Sequence, residues 1–498
     1  MLLLGIDLGT SSVKVAVLDA ATGRCLATAQ YPDTENPIIS TQPGWAEQSP
    51  DSWWEQVQLA IRRVVQQGGF DPQAIGAIGI AYQMHGLVCV DKDGKVLRNS
   101  IIWCDSRAVP YGEQAYEQLG GQEILPRLLN SPGNFTAAKL AWVKEQEPDL
   151  YRKIRYILWP GDFIAFRLTG DVTTTPSALS EGIFWDFSRE EISKDILRVF
   201  DFPGQLLPPV QEVFSVHGEL SKEVAQQLGL KAGIPVSYKA GDQPNNAFSL
   251  QVLQPGEIAA TAGTSGVVYG ITDAVNYDPS CRVNSFIHVN HRPQQKRIGV
   301  LLCVNGTGIF NSWLRQQCFP GWTYTDINQL AATIAPGSEG VLCYPFGNGA
   351  ERVLQNKEPG ASVKGLQFNR HTHAHLARAA QEGIAFALHY GIEVMREMGM
   401  TLTTVRAGKA NLFLSPVFSS AFAHTTGCRL ELYNTDGATG AARAAGWGAC
   451  QFTNTQECFR GMNSVEVLEP EAPTVARYHE LYHRWKKHLD LNNLSSPF

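Results

Sequence analysis

No apolar run in this chain is long enough to cross a bilayer, which excludes a helical membrane protein. The N-terminus is apolar but has no basic leader, and Asp7 interrupts it at once, so no secretory signal is expected. No block of Lys and Arg forms a basic tail, and the formal net charge is −6, which argues against a dedicated nucleic-acid binder. The ten cysteines (Cys25, Cys89, Cys104, Cys281, Cys303, Cys318, Cys343, Cys428, Cys450 and Cys458) contain no CxxC pair. Scattered in this way they read as small buried hydrophobes in a reducing cytoplasm, with no disulfide framework and no structural zinc site. A GxxxxGK[ST] phosphate loop is also missing.

The chain has 498 residues, beyond the size at which one core keeps growing, so two large domains are expected. Residues 2–7 and 13–19 read as strands joined across Gly9-Thr10-Ser11, and "RCLATAQY" as a third strand. "SPDSWWEQVQLAIRRVVQQGG" carries a helix signal, with Ser49 as N-cap, Pro50 at the first position and Gly68-Gly69 at the end. A strand "AIGAIGIAYQ" follows, then a hairpin pattern around Asp93-Gly94. Residues 111–170 are mostly helical in pattern, 218–229 form a helix, 234–240 a strand, and a helix starts at Pro244. "GEIAATAGTSGVVYGIT" then repeats the opening arrangement, two apolar strands flanking Gly263-Thr264-Ser265. The repetition points to two related domains with a cleft between them and a boundary near 243–256. Further on, a strand at 298–303, a long helix ending at Gly399, a strand "TLTTVRAG", a helix "SPVFSSAFAHTTG" and a small-residue helix at 438–449 are expected. The basic helix at 475–487 reads as a surface helix packed through Tyr478, Leu481, Tyr482 and Trp485.

Each Gly-Thr-Ser turn offers a bend near which backbone N–H groups can converge on phosphate oxygens, with Thr and Ser hydroxyls as added donors. One such turn is weak; two, each between strands, fit a phosphate chain held across a cleft. Asp7 ends the first strand beside its turn. It either caps that turn or joins a divalent cation to phosphate, and Mg²⁺ is the oxygen-seeking candidate. Asp242 follows a strand and precedes a helix, a position that projects into the cleft of an α/β fold. There it can act as an N-cap or accept the proton of an attacking hydroxyl. Gln83, Met84 and His85 follow one strand, and Trp103, Asp105 and Arg107 another run. Such donors, acceptors and an indole face suit a polyol, with His85 and Asp105 as hydroxyl partners. His371, His373 and His375 alternate at a helix start with no adjacent carboxylate, which reads as a solvated turn rather than a metal site.

Taken in order, "GIDLGTSSVK", "PGWAEQSPDSWW", "GIAYQMHG", "IIWCDSRA", "LTGD", "AGDQPNNA", "AGTSG", "GAER" and "DGATGAARAAG" resemble the FGGY carbohydrate kinases over nearly the whole chain. "QMHG" with "WCDSRA" is most similar to its xylulokinase branch. The resemblance implies an α/β fold of two related actin-like (ribonuclease-H-like) domains flanking a catalytic cleft. Residues 1–245 would bind the sugar and carry the base, and 246–498 would bind the nucleotide. It implies Asp242 as general base and Gln83, Met84, His85, Trp103, Asp105 and Asn245 on the sugar. Thr10, Ser11, Lys14, Gly263, Thr264, Ser265, Gly408 and Asn411 would contact ATP, and Asp7 would hold Mg²⁺ through water. The implied reaction is ATP-dependent phosphorylation of D-xylulose. The alternatives are L-ribulose, glycerol or gluconate as acceptor, or a non-catalytic actin-like nucleotide binder. It further implies a cytoplasmic homodimer whose ligands are a small sugar and ATP, with no nucleic-acid or membrane partner.

Two segments depart from that pattern. Where relatives carry a glycine run on the nucleotide side, this chain has "VRAGKANLF", with Arg406 and Lys409 adding bulk and charge. Thr175 in "TTPSALSEG" stands where xylulokinases often have an aspartate.

Overall fold

The computed structural model of the protein describes residues 1–489. It contains two mixed sheets built to one plan. In the first half, β1 (Leu2–Leu8), β2 (Val13–Asp19) and β3 (Cys25–Tyr31) form an antiparallel meander, and β4 (Ile75–Tyr82) and β5 (Val236–Gly241) extend it in parallel. The order is β5-β4-β1-β2-β3. In the second half, β6 (Glu257–Ala262), β7 (Gly266–Thr272), β8 (Asn284–Ile287), β9 (Ile298–Val304), β10 (Thr404–Gly408), β11 (Arg429–Tyr433) and β12 (Ser464–Leu468) form one sheet. Its order is β8-β9-β7-β6-β10-β11-β12, and the stretch β9-β7-β6-β10-β11 repeats the order and strand senses of the first sheet. The two Gly-Thr-Ser turns join equivalent strands, β1 to β2 and β6 to β7.

The register places the functional segments. Leu8 and Tyr82 are partners, as are Tyr82 and Gly241, so Asp7, the run 83–85 and Asp242 leave the sheet at one edge. The central strands β1, β4 and β5 are buried on both faces, as a sheet covered by helices requires, whereas the edge strands β3 and β12 are mostly exposed.

The main helices are α1 (Pro50–Gln67), α2 (Asp242–Ser249), α3 (Thr307–Cys318), α4 (His373–Glu397), α5 (Gly437–Gly448) and α6 (Ala472–Lys487). α1 is capped by Ser49, whose side chain accepts from Ser52 N–H, and it buries Trp53, Trp54, Val57, Ala60, Ile61 and Val64. α6 packs Tyr478, Leu481, Tyr482 and Trp485 inward as its pattern indicates. α5 returns from the second half to pack on β1 and β4, a crossing that the division into 1–245 and 246–498 does not anticipate. A Cβ on Gly5 would lie 1.9 Å from the Ala438 carbonyl oxygen, and one on Gly79 2.1 Å from that of Ala441. Glycine in the strands and alanine in the helix let backbone touch backbone.

Several local expectations change. α2 begins at Asp242, not Pro244, and its N-cap is Gly241. The helix expected at 218–229 is confined to Lys222–Leu228, because Ser221 caps it and Glu219 bridges Pro235. The helical region 111–170 also contains a strand, Tyr156–Leu158, which takes Val88–Val90 as partner; the turn at Asp93-Gly94 then closes only a single bridge, Val90 to Val96. His375 is buried rather than solvated, its Nδ1 accepting from Thr372 N–H at the start of α4. All ten cysteines are free, but Cys25, Cys104 and Cys450 are exposed. No helix among the described residues is long and apolar enough to cross a membrane.

The close approach of α5 gives a direct test. Gly79→Val should lower stability by about 1–3 kcal/mol or more, because the clash is with backbone that cannot rotate away. Thermal unfolding of the variant should show a clear loss of Tm, and an unchanged Tm would contradict the packing described.

Candidate active site

A cavity of about 590 Å³ lies between the halves. From the first half it is lined by Thr10, Met84, His85, Trp103 and Asp242; from the second by Ser265, Cys303 and Arg352. A second cavity, about 730 Å³, belongs to the second half and is lined by Gly263, Thr264, Gly308, Tyr324, Asn328 and Asn411 among others. The Gly263-Thr264-Ser265 turn is the wall between them, with Ser265 on one side and Gly263 and Thr264 on the other. α3 begins against this turn: Ile309 N–H donates to the Thr264 carbonyl at 2.9 Å, and a Cβ on Gly308 would lie 1.7 Å from the Gly263 oxygen. A helix N-terminus so placed favours an anion. Thr10 and Ser265, one from each turn, line the same cavity.

Asp242 enters from the first turn of α2. Burial first, and then the charge of Asp7, push its carboxyl up to about 7. Asp7 itself lines neither cavity and is pushed up to about 6, chiefly by burial, with Lys14 opposing and Asp436 adding to the shift. A Cβ on Gly437 would lie 2.5 Å from Asp7 Oδ2, so this carboxylate faces the start of α5. The repulsion between two desolvated carboxylates would be relieved by a cation placed between them. Among the described residues no group of three or more His, Cys, Asp or Glu side chains could hold a metal ion. The donor set therefore suits an ion that takes its remaining ligands from phosphate and water, as Mg²⁺ does.

His85 adopts a left-handed backbone, φ 62°, which is uncommon outside glycine. Its Nδ1 lies 2.9 Å from the Glu181 carbonyl, which can only accept, so Nδ1 carries the proton. Burial, with Lys139 nearby, pushes the imidazole down to about 3, so the ring is neutral and Nε2 is left as an acceptor. Lys139, fully buried, donates to the carbonyls of His85 at 2.8 Å and Ile102 at 3.0 Å and fixes this segment; burial pushes its amine down to about 7. Trp103 is half exposed and donates from Nε1 to Thr10 Oγ1 at 2.9 Å.

Other expected contacts are placed elsewhere. Gln83 is buried and accepts from Thr10 Oγ1 while donating to Gln48 Oε1, so it braces the turn instead of lining the cavity. Asp105 is fully buried and its oxygens are taken by Ala46 N–H and by the backbone and guanidinium of Arg107, which corrects its assignment to a hydroxyl. Asn245, also fully buried, donates to the Gly437 carbonyl at 3.0 Å and ties α2 to α5; this corrects its assignment to the sugar. Ser11 and Lys14 are exposed and line neither cavity, and Gly408 lines neither. Sequence reasoning missed Arg352, Phe135 and Asn305 in the first cavity and all of the α3 and Tyr324–Asn328 wall in the second. "GAER" was the one visible trace of Arg352, and it carries no chemistry until the loop is folded.

The two departures in sequence are absorbed locally. Arg406 pairs with Glu257 and Glu431 on neighbouring strands, and Lys409 with Glu466. Thr175 caps the short helix Pro176–Glu181, its hydroxyl accepting from Ala178 N–H.

Comparison with known proteins agrees with this arrangement. The N-terminal domain model of the FGGY family of carbohydrate kinases matches residues 2–249, and the C-terminal domain model matches 258–449. A xylulose kinase of Bacillus subtilis (strain 168) is 30% identical over 488 residues, covering 97% of this chain and 95% of its own. The crystal structure of a xyloylose kinase from Brucella ovis is 26% identical, with a TM-score of 0.86 over 98% of this chain and 99% of its own. A gluconate kinase from Lactobacillus acidophilus, 22% identical, covers 98% of this chain and 97% of its own with a TM-score of 0.88, and shares the fold. Two sheets of one plan, two cavities divided by a Gly-Thr-Ser turn and matches to both domain models make this chain a member of the FGGY family of carbohydrate kinases, a sugar kinase that uses ATP.

Proposed function

We propose that the protein transfers the γ-phosphoryl group of ATP to the C5 hydroxyl of D-xylulose. The observation that carries this reading is the shared wall: Asp242 lines the smaller cavity, and the turn 263–265 separates it from the larger one. The likeness to xylulose kinases over nearly the full chain supports the choice of sugar. On this reading the first cavity takes the sugar and the second the nucleotide, with Asn411 near its base and Gly263 and Thr264 near its phosphates. Asp7, acting through water, would hold Mg²⁺ near the phosphates, and Asp242 would be left to the sugar hydroxyl. When bound, the ion would neutralise charge on the phosphate oxygens.

Asp242 orients the attacking hydroxyl and accepts its proton as the O5–P bond forms and the bond from phosphorus to the bridging oxygen of ADP breaks. His85 Nε2 accepts from a sugar hydroxyl, and Met84 and Trp103 offer apolar faces to the C–H side. Thr10 and Ser265 supply hydroxyl donors from opposite walls, where the transferred group passes. Closure of the halves would exclude water that would otherwise take the phosphoryl group.

Asp242→Asn should lower sugar-dependent ADP release by about 10²–10⁴-fold while ATP still binds. Turnover near the parent rate would remove Asp242 from the role of base. The same variant should gain stability, because the parent keeps a carboxylate in a desolvated site against Asp7. The folded carboxyl titrates at about 7 and the unfolded one near 3.8, so this penalty is absent below pH 4 and grows as pH rises through 7. Without nucleotide or metal, the gain in Tm over the parent should therefore be larger at pH 8 than at pH 5. An equal or reversed difference would contradict the repulsion.

A further inference from the structure

Arg352 is a cation in the first cavity that nothing nearby neutralises. Its neighbour Glu351 is fully buried and accepts from the backbone N–H groups of Asn305 at 2.9 Å and Gly306 at 3.1 Å, closing the entry to α3. Arg352 instead reaches towards the first half, its Cζ 5.9 Å from the Phe135 ring centroid and its Nη2 3.7 Å from where a Cβ on Gly133 would lie. No carboxylate or hydrogen-bond acceptor among the described residues engages it. Of the described residues lining this cavity, Arg352 is the one Arg or Lys and Asp242 the one carboxylate. Arg352, Asp242 and the Cys303 thiol all line this cavity.

The cavity therefore carries a proton acceptor at one place and a donor-only fork at another, between apolar walls that include Met84, Phe135 and Leu301. Arg352 is partly buried, so water can reach its guanidinium in the open cavity; a ligand that displaces this water must supply the acceptor oxygens, because no protein acceptor does. An open-chain sugar has two unlike ends. A terminal hydroxyl can donate to Asp242, while a carbonyl or carboxylate oxygen can only accept.

We propose that Arg352 reads the oxidised end of the acceptor sugar and so decides which terminal hydroxyl meets Asp242. The inference rests on the reading that the first cavity binds the sugar. It assigns the substrate class as open-chain ketoses, with aldonates as competing ligands, in preference to alditols. An alditol puts there a hydroxyl, whose oxygen accepts from the fork as well but whose own O–H must also find an acceptor beside a cation, so the site favours the ligand that offers a carbonyl or carboxylate.

The test compares Arg352→Gln, Arg352→Lys and Arg352→Ala with His85→Ala in the full chain, each checked for its fold by circular dichroism. Steady-state kinetics with D-xylulose and xylitol, inhibition by D-xylonate and calorimetric ATP binding are measured for each. Arg352→Gln should raise the KM for D-xylulose at least tenfold with a smaller change in kcat. It should abolish D-xylonate inhibition, leave xylitol little affected and keep ATP affinity unchanged. Arg352→Lys should be intermediate, and millimolar guanidinium should partly restore Arg352→Ala, a rescue that a purely structural role would not produce. An unchanged KM for D-xylulose, or equal losses for D-xylulose and xylitol, overturns the role of Arg352 while leaving the cavity assignment intact if His85→Ala still raises the sugar KM. If His85→Ala also leaves that KM unchanged, the cavity assignment fails as well.

Discussion

Everything at the site depends on the register of three parallel strands. Pairing of β1 with β4 and β4 with β5 makes Asp7, the segment 83–85 and Asp242 leave the sheet at one edge. A slip of one residue would turn each side chain to the opposite face. The second sheet repeats the arrangement, with Gly263 following β6, Gly408 ending β10 and the Thr435-Asp436 segment following β11. α5 links the two, because glycines in β1 and β4 let its alanines press on the strand backbone while Asp436 caps it beside Asp7.

The site is electrostatically costly, and the cost is local. Lys239 shows how this fold treats a buried charge away from the cavity. It pairs with Asp162 at 2.7 Å and donates also to Thr173. Around the cavity the rule is broken. Asp7 and Asp242 oppose each other, Glu181 is held well above the usual carboxylate range by burial and then by Asp242, and Arg352 has no acceptor. Departures of this kind, grouped at one cleft, are what a binding site for charged and polar ligands requires.

The duplication was legible because strand, Gly-Thr-Ser and strand is a local pattern, and the turns proved to join equivalent strands. Asp242 and His85 were legible for a related reason: residues just after parallel strands have little choice of direction. Asp105 and Asn245 were not, since spacing does not say where a carboxylate's acceptor capacity will be spent. Asp105 folds back on Arg107 two residues away, and Asn245 meets a carbonyl 192 positions distant. Arg406 and Lys409 looked disruptive in isolation, but Arg406 meets acidic partners on the adjacent strands and Lys409 meets Glu466 on β12. Arg352 shows the opposite case, a residue whose meaning comes only from a partner that is missing.

The central claim is that a phosphoryl group crosses the wall at 263–265 from nucleotide to sugar. ³¹P NMR of the enzyme incubated with ATP, Mg²⁺ and D-xylulose follows that transfer directly. A phosphate monoester of the sugar should appear in step with ADP, with little inorganic phosphate. ADP accumulating with inorganic phosphate and no sugar ester, whether or not D-xylulose is present, would contradict the account.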